Sequence, residues 1–503
     1  MKTFDLVVVG TGAGLSVAQE ALQRGWSVAL VESGKFGGTC LTRGCIPSKI
    51  LTTPADLIRD AERAERIGLK FEKPAVAWEV VARRMWKKIG LNREIENNLR
   101  NERGLTIFNG EGAFTAPMRM RVKMNGGSGF SEEFEGRRFV LASGARSIVP
   151  PIEGLDGTDF LTTENFFGDK FPERPWTSLI LIGGGIVAAE FAHIFSALGT
   201  KVTIVEMLPR LLAAEEPEVS ALVERVFRED ISVRLNSKAL SVREEQGKKI
   251  VVVADTRTGA LSEAAADALL VAVGRKSNAD LLRLEKTGVE LTPQGWIKTD
   301  AFLETTRPNI WAIGDALGGF QFRHKANADA DVVIHNLFAP DKPKIRADNS
   351  AVPWAVFTHP QVGHVGLTES QALETGLNVL TAVFHYSDVA KGFALGFEKG
   401  GPDDGFFKLV AEDSGRILGA HVVGPQAALL VQPFVYLMNS GYACPKSKNA
   451  VPRLSREDMA CPEAGSIMPI YRSQVIHPSL NEVTAWALGA LRPATPFKHQ
   501  DNG

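Results

Sequence analysis

The chain has 503 residues, of which 44% are hydrophobic and 23% charged, and its net charge of −1 offers no electrostatic case for binding nucleic acid or an anionic membrane. Such a length predicts about three or four domains. Four cysteines are too few for a disulfide framework, and no apolar run approaches the roughly 18 residues of a membrane span. We therefore expect a cytoplasmic protein with no nucleic-acid or membrane partner and no bound metal.

The first predicted element is a buried parallel strand that leads into a glycine-rich turn. Gly10 allows the tight turn, and Gly12 lets the backbone approach a pyrophosphate at the N-terminus of the next helix. Glu32 ends the following strand, 22 residues after Gly10, at the distance where an acid meets a ribose hydroxyl. The third small position of the pattern is taken by Leu15, with Gly14 one place early, so this dinucleotide turn is imperfect.

Two cysteines follow this turn, Cys40 and Cys45, five positions apart. A dithiol so close to a dinucleotide turn indicates electron transfer between a nucleotide cofactor and a disulfide. The alternative is a pair of buried structural cysteines. Beyond them, apolar residues recur at helical spacing over residues 48–66 and 77–103, which predicts two long helices.

A second strand and turn fit the dinucleotide pattern better, with Gly183, Gly185 and Ala188 in the three small positions. The next predicted strand ends at Glu206, 23 residues after Gly183. A carboxylate there accepts hydrogen bonds from the adenosine ribose and repels a 2′-phosphate, which favours NAD(H) over NADP(H). Two such units imply two dinucleotide domains, one inserted into the other.

Residues 37–49 resemble the redox-active disulfide motif of the class I FAD-dependent pyridine nucleotide–disulfide oxidoreductases. That family includes dihydrolipoamide dehydrogenase, glutathione reductase, mycothione reductase and mercuric reductase. Further segments resemble motifs of the same family in the same order: residues 140–147, 272–278, 310–315, 323–326 and 476–482. The similarity is greatest to dihydrolipoamide dehydrogenase and covers nearly the whole chain.

The resemblance implies an α/β fold with two Rossmann-like dinucleotide-binding domains and a C-terminal α+β dimerisation domain. The expected segments are an FAD-binding domain at 1–150, an NAD-binding domain at 151–273, an FAD-binding or central segment at 274–347, and an interface domain at 348–503. It also implies a homodimer whose active sites are shared between subunits.

The resemblance also assigns cofactor residues. Those implied for FAD are Gly10, Gly12, Gly14, Glu32, Gly38, Thr39, Lys49, Ser143, Gly144, Gly314, Asp315 and Ala326. Those implied for NAD are Gly183, Gly185, Ala188, Glu206 and Gly274. In the family, the acid at the position of Asp315 bonds the ribityl chain of FAD.

The family mechanism implies a role for each cysteine. Cys45 corresponds to the thiol that lies against the flavin, and Cys40 to the interchange thiol that meets the substrate. Lys49, four residues after Cys45, corresponds to the lysine that contacts the flavin. Glu190 corresponds to its carboxylate partner from the NAD-binding domain.

A base is expected from the C-terminal segment, where His477 and Glu482 resemble the family's His-Pro…Glu motif. His477 would take a proton from the interchange thiol, and Glu482 would orient the imidazole. Mercuric reductases lack this histidine, which argues against mercury as the substrate.

These features favour an NAD-dependent dihydrolipoamide dehydrogenase acting on a small or carrier-bound dithiol. The alternatives are a reductase of another low-molecular-weight disulfide, of the glutathione or mycothiol type, and a non-catalytic flavoprotein that carries electrons. Residues 442–476 form a longer segment than the family predicts and contain Cys444 and Cys461. Those cysteines are either a second redox relay or bystanders in a lineage-specific loop.

Overall fold

The computed structural model describes residues 1–127, 129–413, 416–440 and 473–478. No helix within these ranges is both long and apolar enough to cross a membrane. The α-helices are α1 Gly14–Gln23, α2 Gly38–Arg43, α3 Cys45–Arg63, α4 Trp78–Ile89, α5 Leu91–Arg100, α6 Thr163–Phe166, α7 Ile186–Ala197, α8 Pro217–Phe227, α9 Arg323–Phe338, α10 Glu369–Leu373, α11 Ala390–Ala394 and α12 Ala427–Met438.

The strands form five sheets. In chain order they are β1 Lys2–Phe4, β2 Leu6–Val9, β3 Val28–Glu32, β4 Leu105–Ala116, β5 Arg119–Met124, β6 Phe134–Gly136, β7 Phe139–Leu141, β8 Ala145–Ser147, β9 Ser178–Ile182, β10 Lys201–Val205 and β11 Ile231–Arg234. The remainder are β12 Ser237–Glu245, β13 Lys248–Asp255, β14 Leu261–Ala266, β15 Ala268–Val271, β16 Arg275–Ser277, β17 Ile310–Ala312, β18 Trp354–Val356, β19 Val362–Gly366, β20 Val379–His385, β21 Phe406–Glu412 and β22 Ile417–Val423.

The first sheet has the strand order β1-β6-β5-β4-β3-β2-β7-β17. Its parallel part, from β4 to β17, is apolar on both faces because successive side chains of a strand point to opposite sides. Leu6 and Val8 pack toward α1 and α9, with Val17 and Val333. Their neighbours in β2 pack instead toward the antiparallel strands β4 to β6. The result is three layers: helices, parallel sheet and antiparallel strands.

The second sheet repeats this design with the order β11-β10-β9-β15, in which all pairs are parallel. Leu179 and Leu181 of β9 face α7 and α8. Ile180 and Ile182 face the antiparallel sheet β12-β13-β14. This unit therefore has the same three layers as the first.

The two units are joined through a short ribbon. β8 leaves the first unit and pairs antiparallel with β16, which returns from the second, so that Ser147 lies opposite Arg275. The chain then adds β17 to the first sheet beside β7. The second unit is therefore an insertion within the first.

The third large sheet, β18-β19-β22-β21-β20, is antiparallel. One face packs against α12 through Val365, Ala420 and Val431. This α+β domain follows the two three-layer units along the chain, in agreement with the predicted fold class.

The helical region differs from the sequence prediction in one respect. The pattern over 48–66 corresponds to α3, but the pattern over 77–103 forms two helices, α4 and α5, rather than one. They separate at Gly90, where the absence of a side chain lowers the helix propensity by about 1 kcal/mol relative to alanine.

Candidate active site

The first glycine-rich turn joins β2 to α1. Gly10 has a φ of +99°, and a Cβ on it would lie 2.2 Å from the carbonyl oxygen of Ala142. A Cβ on Gly38 would lie 2.7 Å from Cα of Gly12, so these two backbones touch. A Cβ on Gly14 would lie 2.8 Å from Cβ of Ala142. Gly14 thus provides the close packing of helix on strand that the pattern assigns to its third glycine.

Glu32 lies at the end of β3 and faces this turn. Its Oε2 accepts hydrogen bonds from the amide N–H of Thr11 at 2.9 Å and from the Thr11 hydroxyl at 2.7 Å. Its Oε1 accepts from the N–H of Gly34 at 2.7 Å. A carboxylate has about four acceptor sites, so the fixed group can still accept a hydrogen bond from a ribose hydroxyl.

A cleft runs from this turn to the cysteines. The residues predicted for FAD that line it are Gly10, Gly12, Glu32, Gly38, Thr39, Ser143, Gly144, Gly314, Asp315 and Ala326. The buried hydroxyl of Ser143 has no hydrogen-bond partner among the described residues, so it is available to a ligand. A backbone-lined cleft with an uncommitted hydroxyl and an acid at one end fits FAD.

Asp315 does not face the cleft alone. Its Oδ2 accepts a hydrogen bond from Nη1 of Arg275 at 2.6 Å, and Nη2 of Arg275 donates to the carbonyl of Ala145 at 2.7 Å. Sequence reasoning placed Arg275 in a family motif without giving it a role. Only the pairing of β8 with β16 brings it to the cleft, so no local pattern could have revealed this contact.

The two cysteines lie at the start of consecutive helices, Cys40 in α2 and Cys45 as the first residue of α3. Both are free thiols in this structure. A hydrogen bond from Cys40 lowers the pKa of Cys45 to about 7, assisted by the charges of Lys49 and His477 and opposed by burial. The same hydrogen bond and burial raise the pKa of Cys40. The pair therefore holds its first negative charge on Cys45, at a helix N-terminus that favours it.

Lys49 links the cysteine helix to the second unit. Its Nζ donates to both carboxylate oxygens of Glu190 on α7, at 2.8 and 2.7 Å. The N–H of Phe357 donates to Glu190 Oε1 at 3.1 Å, and the ring of Phe357 lies under the ammonium at 4.3 Å. Phe357 was predicted only as part of the interface segment. It is nevertheless the residue through which the third sheet reaches this ion pair.

His477 lies beside the cysteine helix of its own chain, close enough for its charge to lower the pKa of Cys45. Its segment is anchored because the N–H of Ile476 donates to Gln432 at 3.1 Å and Gln432 donates to the carbonyl of Gln474 at 3.3 Å. The cavity there is lined by Ile46, Lys49, Ile50, Thr53, Arg84, Lys88, His477 and Pro478. Arg84 and Lys88 were not predicted as site residues, because they read as ordinary cations of an amphipathic helix.

The second glycine-rich turn joins β9 to α7. Gly183 has a φ of +116°, and a Cβ on it would lie 2.4 Å from the carbonyl oxygen of Ala272. A Cβ on Gly185 would meet no heavy atom within 4 Å, so this position faces open space. Ala188 is fully buried in α7. An open glycine at a helix N-terminus fits the pyrophosphate of a dinucleotide.

The acid of this turn, Glu206, follows β10 and is 8% exposed. Its Oε1 accepts a hydrogen bond from the N–H of Leu208 at 2.7 Å, which fixes the carboxylate next to Gly184. Gly274 follows β15 with a φ of +132°, and its carbonyl accepts from Ile148 at 2.9 Å. The predicted NAD residues thus lie at the carboxyl ends of the second parallel sheet.

Three predicted residues, Glu482, Cys444 and Cys461, lie outside the described part of the chain. Their roles remain predictions.

Comparisons with known proteins agree with this architecture. Residues 4–330 match the family model described as pyridine nucleotide-disulphide oxidoreductase, and residues 352–452 match the dimerisation domain of the same family. The chain is 34% identical over 506 residues to mycothione reductase of Mycobacterium tuberculosis (strain ATCC 25618 / H37Rv), covering 98% of this chain and 100% of the relative.

Two other similar proteins belong to the same group. Dihydrolipoyl dehydrogenase 3 of Haloarcula marismortui is 31% identical over 447 residues, covering 87% of this chain and 90% of the relative. The solved structure of the HOCl-induced flavoprotein disulfide reductase RclA from Escherichia coli, as a Cu(II) complex, superposes with a TM-score of 0.73 at 25% identity, covering 90% of this chain and 99% of that one. The predicted family, fold class and cofactors are confirmed: the chain belongs to the pyridine nucleotide–disulfide oxidoreductases, which use FAD and NAD(P)H.

Proposed function

We propose that this protein transfers an electron pair between NADH and a low-molecular-weight dithiol or disulfide through Cys40 and Cys45. The observation that carries the proposal is the position of the two cysteines, because Cys40 and Cys45 both line the cleft that fits FAD. A purely structural pair of cysteines need not lie at a cofactor cleft. Lys49 lies on the helix that begins at Cys45, and its charge favours the thiolate of Cys45.

When bound in the cleft, FAD supplies the two-electron link between the nicotinamide and the cysteines. On this chain's side, the sulfur of Cys40 attacks the substrate disulfide, forms a mixed disulfide and releases the first substrate thiolate. The sulfur of Cys45 then attacks that of Cys40, closes the Cys40–Cys45 disulfide and releases the second thiolate. Two cysteine thiols are oxidised as the substrate disulfide is reduced, and dithiol oxidation is the reverse.

His477 is the proposed proton carrier. Cys40 holds a proton that it must lose before it can attack, and a released substrate thiolate needs one. An imidazole can accept the first and supply the second near neutral pH. We propose Glu482 as the group that orients this imidazole.

We propose NADH as the nucleotide, because the fixed carboxylate of Glu206 would repel a 2′-phosphate on the adenosine ribose. We propose dihydrolipoamide as the substrate, because the motifs of the chain most resemble those of dihydrolipoamide dehydrogenase. A mycothiol-type disulfide is the second candidate. It is favoured by the 34% identity to mycothione reductase, which covers 98% of this chain and 100% of that relative.

The test is a matrix of steady-state rates with NADH or NADPH against lipoamide, mycothiol disulfide and glutathione disulfide. We expect NADH with lipoamide to give the highest kcat/KM. Higher values with mycothiol disulfide would select the second candidate. The Cys45→Ser variant is the control and is expected to lose activity with every disulfide. If it retains the parent rate, the cysteine mechanism is wrong.

We also propose a homodimer, since residues 352–452 match the family's dimerisation domain. The resemblance predicts that His477 serves the cysteines of the other subunit, but His477 also lines a cavity with Ile46 and Lys49 of its own chain. Mixed dimers of Cys45→Ser and His477→Gln subunits distinguish the two arrangements. Recovered activity is expected for shared sites, and its absence in proven heterodimers would show that His477 acts within its own chain.

A further inference from the structure

Three buried side chains meet where the second unit contacts the third sheet. Glu215 precedes α8, and His364 and His421 lie opposite each other on the paired strands β19 and β22. Their ligand-type atoms all lie within 4.8 Å of one another. The three side chains are 2% exposed or less. None of the three lines the FAD cleft.

The hydrogen bonds of the two imidazoles fix which nitrogens face the centre of this cluster. Nε2 of His364 lies 3.1 Å from the carbonyl of Gly366, and Nε2 of His421 lies 3.0 Å from the carbonyl of Leu367. A carbonyl can only accept, so each Nε2 carries a hydrogen, and the Nδ1 of each ring faces the centre of the cluster. Metal-binding histidines are typically held by this kind of bond to a backbone carbonyl.

The inward-facing atoms are two Nδ1 nitrogens and a carboxylate oxygen, and because a carboxylate can only accept, the proton that Nδ1 of His364 donates to Glu215 must leave when a metal ion binds. Nδ1 of His364 lies 2.8 Å from Oε2 of Glu215 and 3.2 Å from Nδ1 of His421. Tetrahedral Zn²⁺ with bonds of about 2.0–2.1 Å separates its ligand atoms by roughly 3.3 Å. The other oxygen of Glu215 accepts from Nε1 of Trp354 at 2.6 Å, which orients the carboxylate.

The charges around the cluster also favour a cation. The nearby ammonium of Lys408 is in contact with three carboxylates, Glu216 and Glu218 at 3.1 Å and Glu369 at 2.7 Å. Glu218 and Glu369 are partly exposed and screened by water, so the buried charges are the carboxylates of Glu215 and Glu216 and the single ammonium of Lys408. A divalent ion would offset the excess.

We propose that Glu215, His364 and His421 bind one Zn²⁺ ion that ties the second unit to the third sheet. This differs from the sequence prediction of no metal. The ligands are too far apart along the chain to form a recognisable motif, and only the pairing of β19 with β22 brings the histidines together. Three protein ligands of the His₂Glu type leave one tetrahedral position for water.

The test uses holoenzyme with its cysteine pair oxidised and any remaining thiols alkylated, so that sulfur cannot bind zinc. After chelator treatment, the protein is dialysed against micromolar Zn²⁺ and its metal is counted by mass spectrometry. We expect about one zinc per chain and a higher melting temperature in the parent. Glu215→Gln and His364→Gln should each weaken binding by more than about tenfold.

The matched control is His335→Gln, a half-buried histidine on α9 whose Nε2 donates to the carbonyl of Pro343 at 2.9 Å, away from the cluster. It should bind zinc as the parent does. Flavin absorbance checks that each variant is folded, and anomalous diffraction at the zinc edge of the parent locates the ion without any variant. The proposal is overturned if the parent binds no stoichiometric zinc, or if the ion lies elsewhere. In that case a shared proton, not a metal, joins His364 to Glu215.

Discussion

The two glycine-rich turns differ at their third small position but share the geometry of the first. A Cβ would lie 2.2 Å from a carbonyl oxygen at Gly10 and 2.4 Å from one at Gly183, and both residues have positive φ. Close packing of the helix is provided by Gly14 in the first turn and by Ala188 in the second. Both turns therefore need a glycine with positive φ at their first position, whereas the residue that packs the helix against the strand can be shifted by one place.

The two units also contribute different chemistry. The first is followed directly by Cys40 and Cys45 and forms the cleft. The second contributes the carboxylate of Glu190, which accepts hydrogen bonds from Lys49 on the cysteine helix. One unit thus holds the cysteines that we propose react, and the other holds the charge of Lys49 from a neighbouring helix.

The largest expected effect comes from substituting the first glycine of each turn, Gly10 or Gly183. Gly10→Ala adds a steric overlap and a strained φ, so we expect a loss of roughly 2–6 kcal/mol in unfolding free energy and of bound FAD. Gly183→Ala has the same local defect, but we expect it to keep FAD and lose NADH-dependent activity. Flavin content and NADH titration measure the two outcomes. Loss of FAD in both variants would show that the units do not function separately.

The link between the units can be tested through Lys49. Its charge lowers the pKa of Cys45, so Lys49→Met should raise that pKa above about 7 and shift thiolate formation to higher pH. At pH 7, an increase of one unit in the pKa of Cys45 lowers the thiolate population by up to about tenfold. Glu190→Gln should lower the pKa of Cys45, because the positive charge of Lys49 is then no longer neutralised by a carboxylate.

The measurement for this link is the pH dependence of alkylation of Cys45 in reduced protein. Lys88→Met is the matched control, since Lys88 lines the same cavity but lies on α4, whereas Lys49 lies on the helix that begins at Cys45. Equal midpoints for the two lysine variants would contradict the assigned role of Lys49.

A smaller effect is expected at the acid of the second turn. Glu206→Arg replaces a fixed carboxylate with a cation and should reverse the preference for NADH by about tenfold to hundredfold in kcat/KM, or about 1.4–2.7 kcal/mol. Glu206→Gln keeps an oxygen that can accept the hydrogen bond from Leu208, so this variant tests the effect of the negative charge alone. Equal use of NADH and NADPH by the parent would contradict the role of this carboxylate.

The smallest effect is expected at Gly185, where a Cβ would enter open space and φ is −81°. Gly185→Ala should change the unfolding free energy by less than about 1 kcal/mol and raise the KM for NADH only several-fold. Thermal melts beside Gly183→Ala provide the comparison. If both variants lose the same stability, backbone strain does not distinguish the two glycines.

Local patterns in the sequence predicted the features that depend on neighbouring residues. The two turns and their acids follow from short-range geometry. The fold class and family followed from the order of motifs. The break of a predicted helix at Gly90 was missed, because apolar periodicity continues on both sides of it.

Contacts made by tertiary packing could not be predicted in this way. The bond from Arg275 to Asp315, the contact of Phe357 with Glu190 and the cluster around His364 each join distant parts of the chain. Each depends on strand pairing or on the docking of one sheet against another unit. The spacing of residues in the sequence does not reveal such contacts.

The ribbon of β8 and β16 has a consequence for how this architecture can be altered. Because Ser147 and Arg275 are directly paired, the ends of the inserted unit are already side by side. Removing the unit leaves a gap that a very short linker can close, with little loop entropy. The chain topology therefore allows the inserted unit to be replaced between β8 and β16 without changing the strand order of the sheet that surrounds the flavin cleft, provided that the packing of α3 and α4 against the unit is kept.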